Sequence, residues 1–194
     1  MKAKVLIGLG LAALLWGGCV VQSIQPFFAE KDFISLPFLP GTWEQRDGEK
    51  QIGVWVFTAE GQRYKLTHTD EDGRKATFEV SAGKIGTNVF LDFSLNDIDP
   101  PDSLNDFATV SLIAAHSFAR LTKMSDGLVL AAMDYEWIEK HLAENPRAIA
   151  HVLQGKRPIL IASTEELQKF VGKYANDEKV FKNQITLTPK KTAK

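Results

Sequence analysis

The sequence is short of several things that chemistry usually needs. It has one cysteine, Cys19, in 194 residues. A lone cysteine provides no disulfide framework and no thiolate metal set, so stability must come from packing. The four histidines are His68, His116, His141 and His151. No two of them stand at four-residue helical spacing, whereas a zinc site takes three or four converging ligands. They read as surface or core residues, and no metal is expected. No serine sits on a sharp glycine-flanked turn. Ser117 follows His116 directly, and in a strand such neighbours point to opposite faces. There is no glycine-rich phosphate loop, because Gly8 and Gly10 fall in the apolar start of the chain. The expectation is a protein that is not an enzyme, with no catalytic residue and no cofactor. Charge of one sign is lacking too: 23 basic residues face 24 acidic ones. Nucleic-acid binding needs a basic face, so that partner is excluded. No internal repeat of solenoid length is visible.

What is present begins at the N-terminus. Lys2 and Lys4 precede an uncharged apolar run, Val5 to Trp16, and Gly17 and Gly18 lead to Cys19. A positive flank, an apolar core of about 7–15 residues and small residues before a cut make a secretory signal. The run is too short for the roughly 20 residues of a spanning helix. The ending Leu14-Leu15-Trp16-Gly17-Gly18-Cys19 resembles the lipobox of bacterial lipoproteins. In that family a small residue precedes the cysteine, whose sulfur takes a diacylglycerol before cleavage. Trp16 departs from the pattern, which prefers leucine at that place. The resemblance implies residues 1–18 as a signal peptide and Cys19 as the lipidation site. It also implies a cell-envelope protein held to the membrane by two or three acyl chains. One chain alone anchors only marginally, at about 0.8 kcal/mol per buried methylene. In enteric members of that family an aspartate after the cysteine favours the inner membrane. Val20 therefore resembles the outer-membrane class, facing the periplasm if the cell has an outer membrane. Two alternatives stay open, an uncleaved anchor and a soluble secreted protein.

Cleavage after residue 18 leaves about 176 residues, the size of one domain. Lys2 and Lys4 leave with the signal, taking the 23 basic residues to 21 against 24 acidic ones. Residues 19–40 read as a lipidated linker in which Pro26, Pro37 and Pro40 deny a long regular element. Its Phe27, Phe28, Phe33, Leu36, Phe38 and Leu39 are too apolar for a free tether and should pack on the domain or on the membrane.

Residues 41–133 read as an antiparallel β-meander. Runs from Gly41, Gln51, Arg63, Arg74 and Val89 alternate apolar and polar residues, and Asp47-Gly48, Glu60-Gly61 and Asp70-Glu71-Asp72-Gly73 turn the chain between them. Asp70 and Asp72 look like half a calcium loop, but the hairpin reading prevails because Arg74 and Lys75 occupy the next places. Leu95 to Asp106 reads as a loop whose Asp97, Asp99, Asp102 and Asp106 are solvated charge. Phe107 to Met124 and Leu128 to Met133 return to β-like sequence. Seven or eight sequential strands should curl and close to remove their edges. Residues 134–182 read as helical with one short strand, Pro158 to Ala162. Asp134 caps the first helix. Asn145-Pro146 opens a second, ending near Gly155. Ser163-Thr164-Glu165-Glu166 is a capping box before a stripe of Leu167, Phe170, Val171 and Tyr174 that should pack on the sheet. Residues 183–194 read as a frayed tail.

The Gly41-Thr42-Trp43 opening resembles the Gly-x-Trp start of lipocalins, where the tryptophan plugs the closed end of the barrel. The fold class expected is α+β, a meander curled into a lipocalin-like barrel or half-barrel with C-terminal helices. The function expected is a non-enzymatic binding or interaction module tethered to the membrane, its partner an envelope protein or an apolar ligand. The alternative is a lipocalin-like carrier with a cavity lined by Trp55, Phe57, Tyr64, Phe78 and Phe90. A hydrolase would need an acid, a base and a nucleophile converging in one cleft.

Overall fold

The computed structural model describes residues 20–99 and 115–190. Cys19 and the signal segment lie outside the described residues, as do Asp102 and Asp106. The chain forms β1 (Gln22–Ser23), a 3₁₀ turn (Glu30–Asp32), β2 (Gly41–Asp47), β3 (Lys50–Glu60), β4 (Arg63–Asp70), β5 (Lys75–Ile85), β6 (Asn88–Asp99), β7 (His116–Lys123) and β8 (Leu128–Ala132). Then follow α1 (Tyr135–Glu144), β9 (His151–Gln154), β10 (Arg157–Leu160), α2 (Thr164–Tyr174) and β11 (Asn183–Pro189).

Strands β2 to β8 pair in sequence, and β11 pairs with both β8 and β2. The result is a closed eight-stranded antiparallel barrel with the architecture of a lipocalin-like barrel. Alternation fills it: Trp55 and Phe57 of β3, Tyr64 and Leu66 of β4 and Phe78 and Val80 of β5 are all buried inward. Val54 and Val56 stand half-exposed on the outside. Three expectations are corrected here. The segment expected to fray is the strand that closes the barrel, with Ile185 and Leu187 inside it. Residues 146–155 form no second helix. Gly155, at φ +65°, turns β9 back on β10, and the pairing gained there outweighs the local helix signal. β6 also runs to Asp99, beyond the loop start expected at Leu95.

Residues 20–40 are a strap. It starts as β1 at one end of the barrel and runs down the outer wall, where Phe27 and Phe28 are buried. The Ile34 N–H donates to the Ala82 carbonyl at 2.9 Å, and the strap then tucks Leu36 and Leu39 into the interior. Gly83 is where Phe28 crosses the wall; a β-carbon there would lie 2.3 Å from the ring. Only glycine admits so close an approach.

The helices cover the same outer wall. The Asp134 carboxylate accepts the Trp137 N–H at 2.8 Å, and the Ser163–Glu166 capping box forms. Ile138 and Leu142 of α1 and Leu167, Phe170 and Val171 of α2 join Phe27, Phe90 and Phe118 in a core outside the barrel. The molecule therefore has two apolar clusters, one within the barrel and one between its wall and the helices. Among the described residues no helix is long and apolar enough to cross a membrane.

Candidate functional site: a half-hollow barrel

The barrel is filled unevenly along its axis. At the end where β2 begins and β11 finishes, Leu36 and Leu39 plug the interior. The Trp43 indole N–H donates to the Leu39 carbonyl at 2.9 Å. The Tyr64 hydroxyl accepts the Leu36 N–H at 2.6 Å. Trp43 thus ties down the closed end, as the Gly-x-Trp resemblance implies. Phe57, Leu128 and Leu187 pack there with Tyr64, all buried.

The other half contains a cavity of about 390 Å³. Trp55, Phe78, Phe93, Leu130 and Ile185 form its apolar wall. It exists because the inward positions of this half are small. Ala119 and Ala132 face each other in the β7–β8 register, and Ala76 and Ser117 complete the thin wall. Polar groups are few and lie with Val20 on the side of β1 and β10: Gln22 and Arg157. Concave, largely apolar and of roughly 300–1,000 Å³ is the usual description of a small-molecule site.

Of the five aromatic residues expected to line it, Trp55 and Phe78 do. Phe57 and Tyr64 are inside the barrel among the side chains that fill its closed half. Phe90 points the other way, into the cluster under the helices. Residues Phe90 to Phe93 are buried on both faces, so apolarity alone does not tell inside from outside. The alanines, which make the space, carry no signal as single residues.

His68 stands inside the barrel with its ring 4.9 Å from that of Trp55, edge to face. Burial lowers its pKa from the ordinary 6.5, with Asp70 opposing. The neutral ring is therefore the folded form, while the unfolded chain takes a proton near 6.5. Stability should be full above that pH and fall as the pH drops toward the folded value. A His68→Phe variant should flatten this acid limb in melting curves recorded across that range; an unchanged slope would assign the limb to other groups.

His116 and Ser117 diverge as expected, Ser117 toward the cavity and His116 to the outer wall. There the Asp92 carboxylate lies 3.0 Å from His116 Nδ1 and also accepts the Phe27 N–H at 2.9 Å. Ser94 is directly opposite His116 in the ladder. The acid–histidine couple clamps the strap through the Phe27 N–H, and Ser81 and Ser94 line the same outer-wall pocket. Asp70 accepts the N–H groups of Asp72 and Arg74 and pairs with the Arg74 guanidinium at 2.7 Å. That is the expected hairpin turn. Among the described residues no three histidine, cysteine or acidic side chains group as metal ligands do. Compared with protein families, curated proteins and solved structures, the chain matches none of them.

Proposed function

We propose that this protein is a non-enzymatic binding module of the cell envelope, tethered by lipid on Cys19, whose barrel holds a small apolar ligand. The observation that carries the reading is the cavity of about 390 Å³ bounded by Trp55, Phe78, Phe93 and Leu130. A barrel selected only for stability gains by filling such space, since buried voids cost dispersion contacts and hydration free energy. Here one half is filled to closure while facing alanines keep the other empty. The few polar groups at one side suit orientation of a ligand more than chemistry on it. The lipobox-like segment supports the tether.

The test is a titration with N-phenyl-1-naphthylamine, a neutral apolar fluorophore. Saturable binding with partial quenching of tryptophan emission is expected, because Trp55 lines the cavity. Ala119→Trp should fill the space and weaken binding by about tenfold or more, roughly 1.4 kcal/mol or above. Ala132→Leu is the milder companion, and melting curves show whether each variant is folded. Equal binding by folded Ala119→Trp would place the probe elsewhere and sink the reading.

A further inference from the structure

β1, β10 and β9 form a flange on the barrel. The first half of β7 is paired on one side with β6 and on the other with β1, where Gln22 stands opposite Ser117. Gln22 pairs in turn with Ile159 of β10, and Ile159 with Val152 of β9. Residues in register share a face of the sheet. Ser117 and Gln22 both line the cavity. The inner wall therefore continues outward as one strip, from Ser117 through Gln22 and Ile159 to Val152. The strip ends in open solvent at Val152, which is 47% exposed; Ile161, 43% exposed, follows Ile159 two residues on, and Leu153, 63% exposed, projects from the opposite face of the same strand. These are three of the five large apolar side chains that stand exposed among the described residues. β9 is also the unpaired edge of the sheet among the described residues.

An exposed apolar patch on an edge strand calls for something to cover it. Two observations say what. First, Val20, which lines the cavity, is one residue from Cys19, and consecutive α-carbons are about 3.8 Å apart. The described chain therefore enters at the rim that carries the flange, and the proposed tether would reach it from that side. Second, the charges are arranged to match. From His151 to Ser163 the flange carries Lys156, exposed at its tip, and Arg157 but no acidic residue, whereas the acids Asp70, Glu71 and Asp72 in the turns farther round the same end are paired with Arg74 and Lys50. Anionic lipid attracts the positive charge of the flange.

We infer that the β9–β10 hairpin is a membrane-seating surface, Val152 and Leu153 from its two faces and Ile161 beside them entering the lipid, while the row from Val152 through Ile159 to Gln22 and Ser117 joins the bilayer to the cavity. The inference rests on the proposed tether and cavity for its meaning, but its geometry is tested without either. In a chain carrying Cys19→Ser, a histidine tag replaces residues 1–18 and nickel-chelating lipid supplies the attachment. A nitrobenzoxadiazole label is placed on Leu153→Cys, or on Gln62→Cys in a turn at the closed end as control. On phosphatidylethanolamine–phosphatidylglycerol vesicles the label at 153 should brighten several-fold and shift to the blue, and that at 62 should not.

Equal responses at both positions, or none at 153, would overturn the inference whatever the state of Cys19. A blue shift at 153 that grows with protein concentration without vesicles would also overturn it, because a second copy would then be the occupant. Vesicle flotation of the untagged chain with Cys19 intact reports on the tether separately, and the naphthylamine titration on the cavity. A Val152→Ser/Leu153→Ser variant should slow transfer of that probe from vesicles to the barrel several-fold and leave its affinity in solution unchanged.

Discussion

Truncating Phe27 to alanine is expected to cost about 4 kcal/mol, within the range for deleting a fully buried phenylalanine. Phe27 has no exposed surface. Its ring stacks on Phe118 at 4.6 Å and meets Phe28 at 4.7 Å and Phe90 edge-on at 5.5 Å. Phe118 and Phe90 belong to adjacent barrel strands, so they cannot close in on the void without bending the wall. Urea denaturation should show a lower midpoint at unchanged slope, the sign of lost stability rather than a changed unfolded state. Naphthylamine binding by the folded fraction should persist, because Phe27 sits in the cluster outside the barrel. A loss below about 1 kcal/mol would mean that the strap is loosely held and that the outer cluster is not a true core.

The Asp92→Ala change should cost about 3 kcal/mol through a different physical route. Asp92 is 3% exposed and serves two donors, the Phe27 N–H and His116 Nδ1. Its loss leaves a backbone N–H unpaired next to a fully buried ring, and water cannot readily replace the acceptor. Asp92→Asn keeps one carbonyl oxygen for the Phe27 N–H and should cost clearly less. His116→Ala should cost less again, because the imidazole is partly open to solvent. A ranking with His116→Ala the worst would show that the histidine, rather than the strap, is what Asp92 is there to hold. Measured amide exchange at Phe27 should accelerate most in the alanine variant.

Much of the barrel was legible before any coordinates. Period-two alternation places Tyr64, Leu66 and Phe78 inward, and turn chemistry at Gly48, Gly61 and Gly73 separates the strands; around Trp55 both faces are apolar, and alternation alone does not choose between them. Asp134 and Ser163 cap helices because their side chains satisfy local backbone donors, an interaction within four residues. What escaped is set by distant pairing. Asn183 to Pro189 offers only Ile185 and Leu187 as apolar alternation, followed by Pro189, Lys190 and Lys191, and nothing nearby distinguishes that from a tail. Its partners are β8, some 55 residues earlier, and β2, some 140 earlier. Asn145-Pro146 carries a helix-start signal that the β9–β10 pairing overrides. Phe90 and Asp92 share the outer face of β6. A buried carboxylate there would have been hard to place inside an apolar barrel, and this was the available clue. The depth at which the barrel empties depends on how eight strands are staggered, which no single run encodes.

The closing strand is also made after both of its partners. A chain delivered N-terminus first, whether from the ribosome or through an export channel, has β2 and β8 complete while their common partner is still missing. Until Asn183 to Pro189 arrive, two bare edges with unsatisfied N–H and C=O groups are open to pairing with other chains. Biogenesis of this protein should therefore depend on a holding chaperone. A truncation before residue 183 should leave an aggregating, open seven-stranded sheet rather than a smaller folded domain.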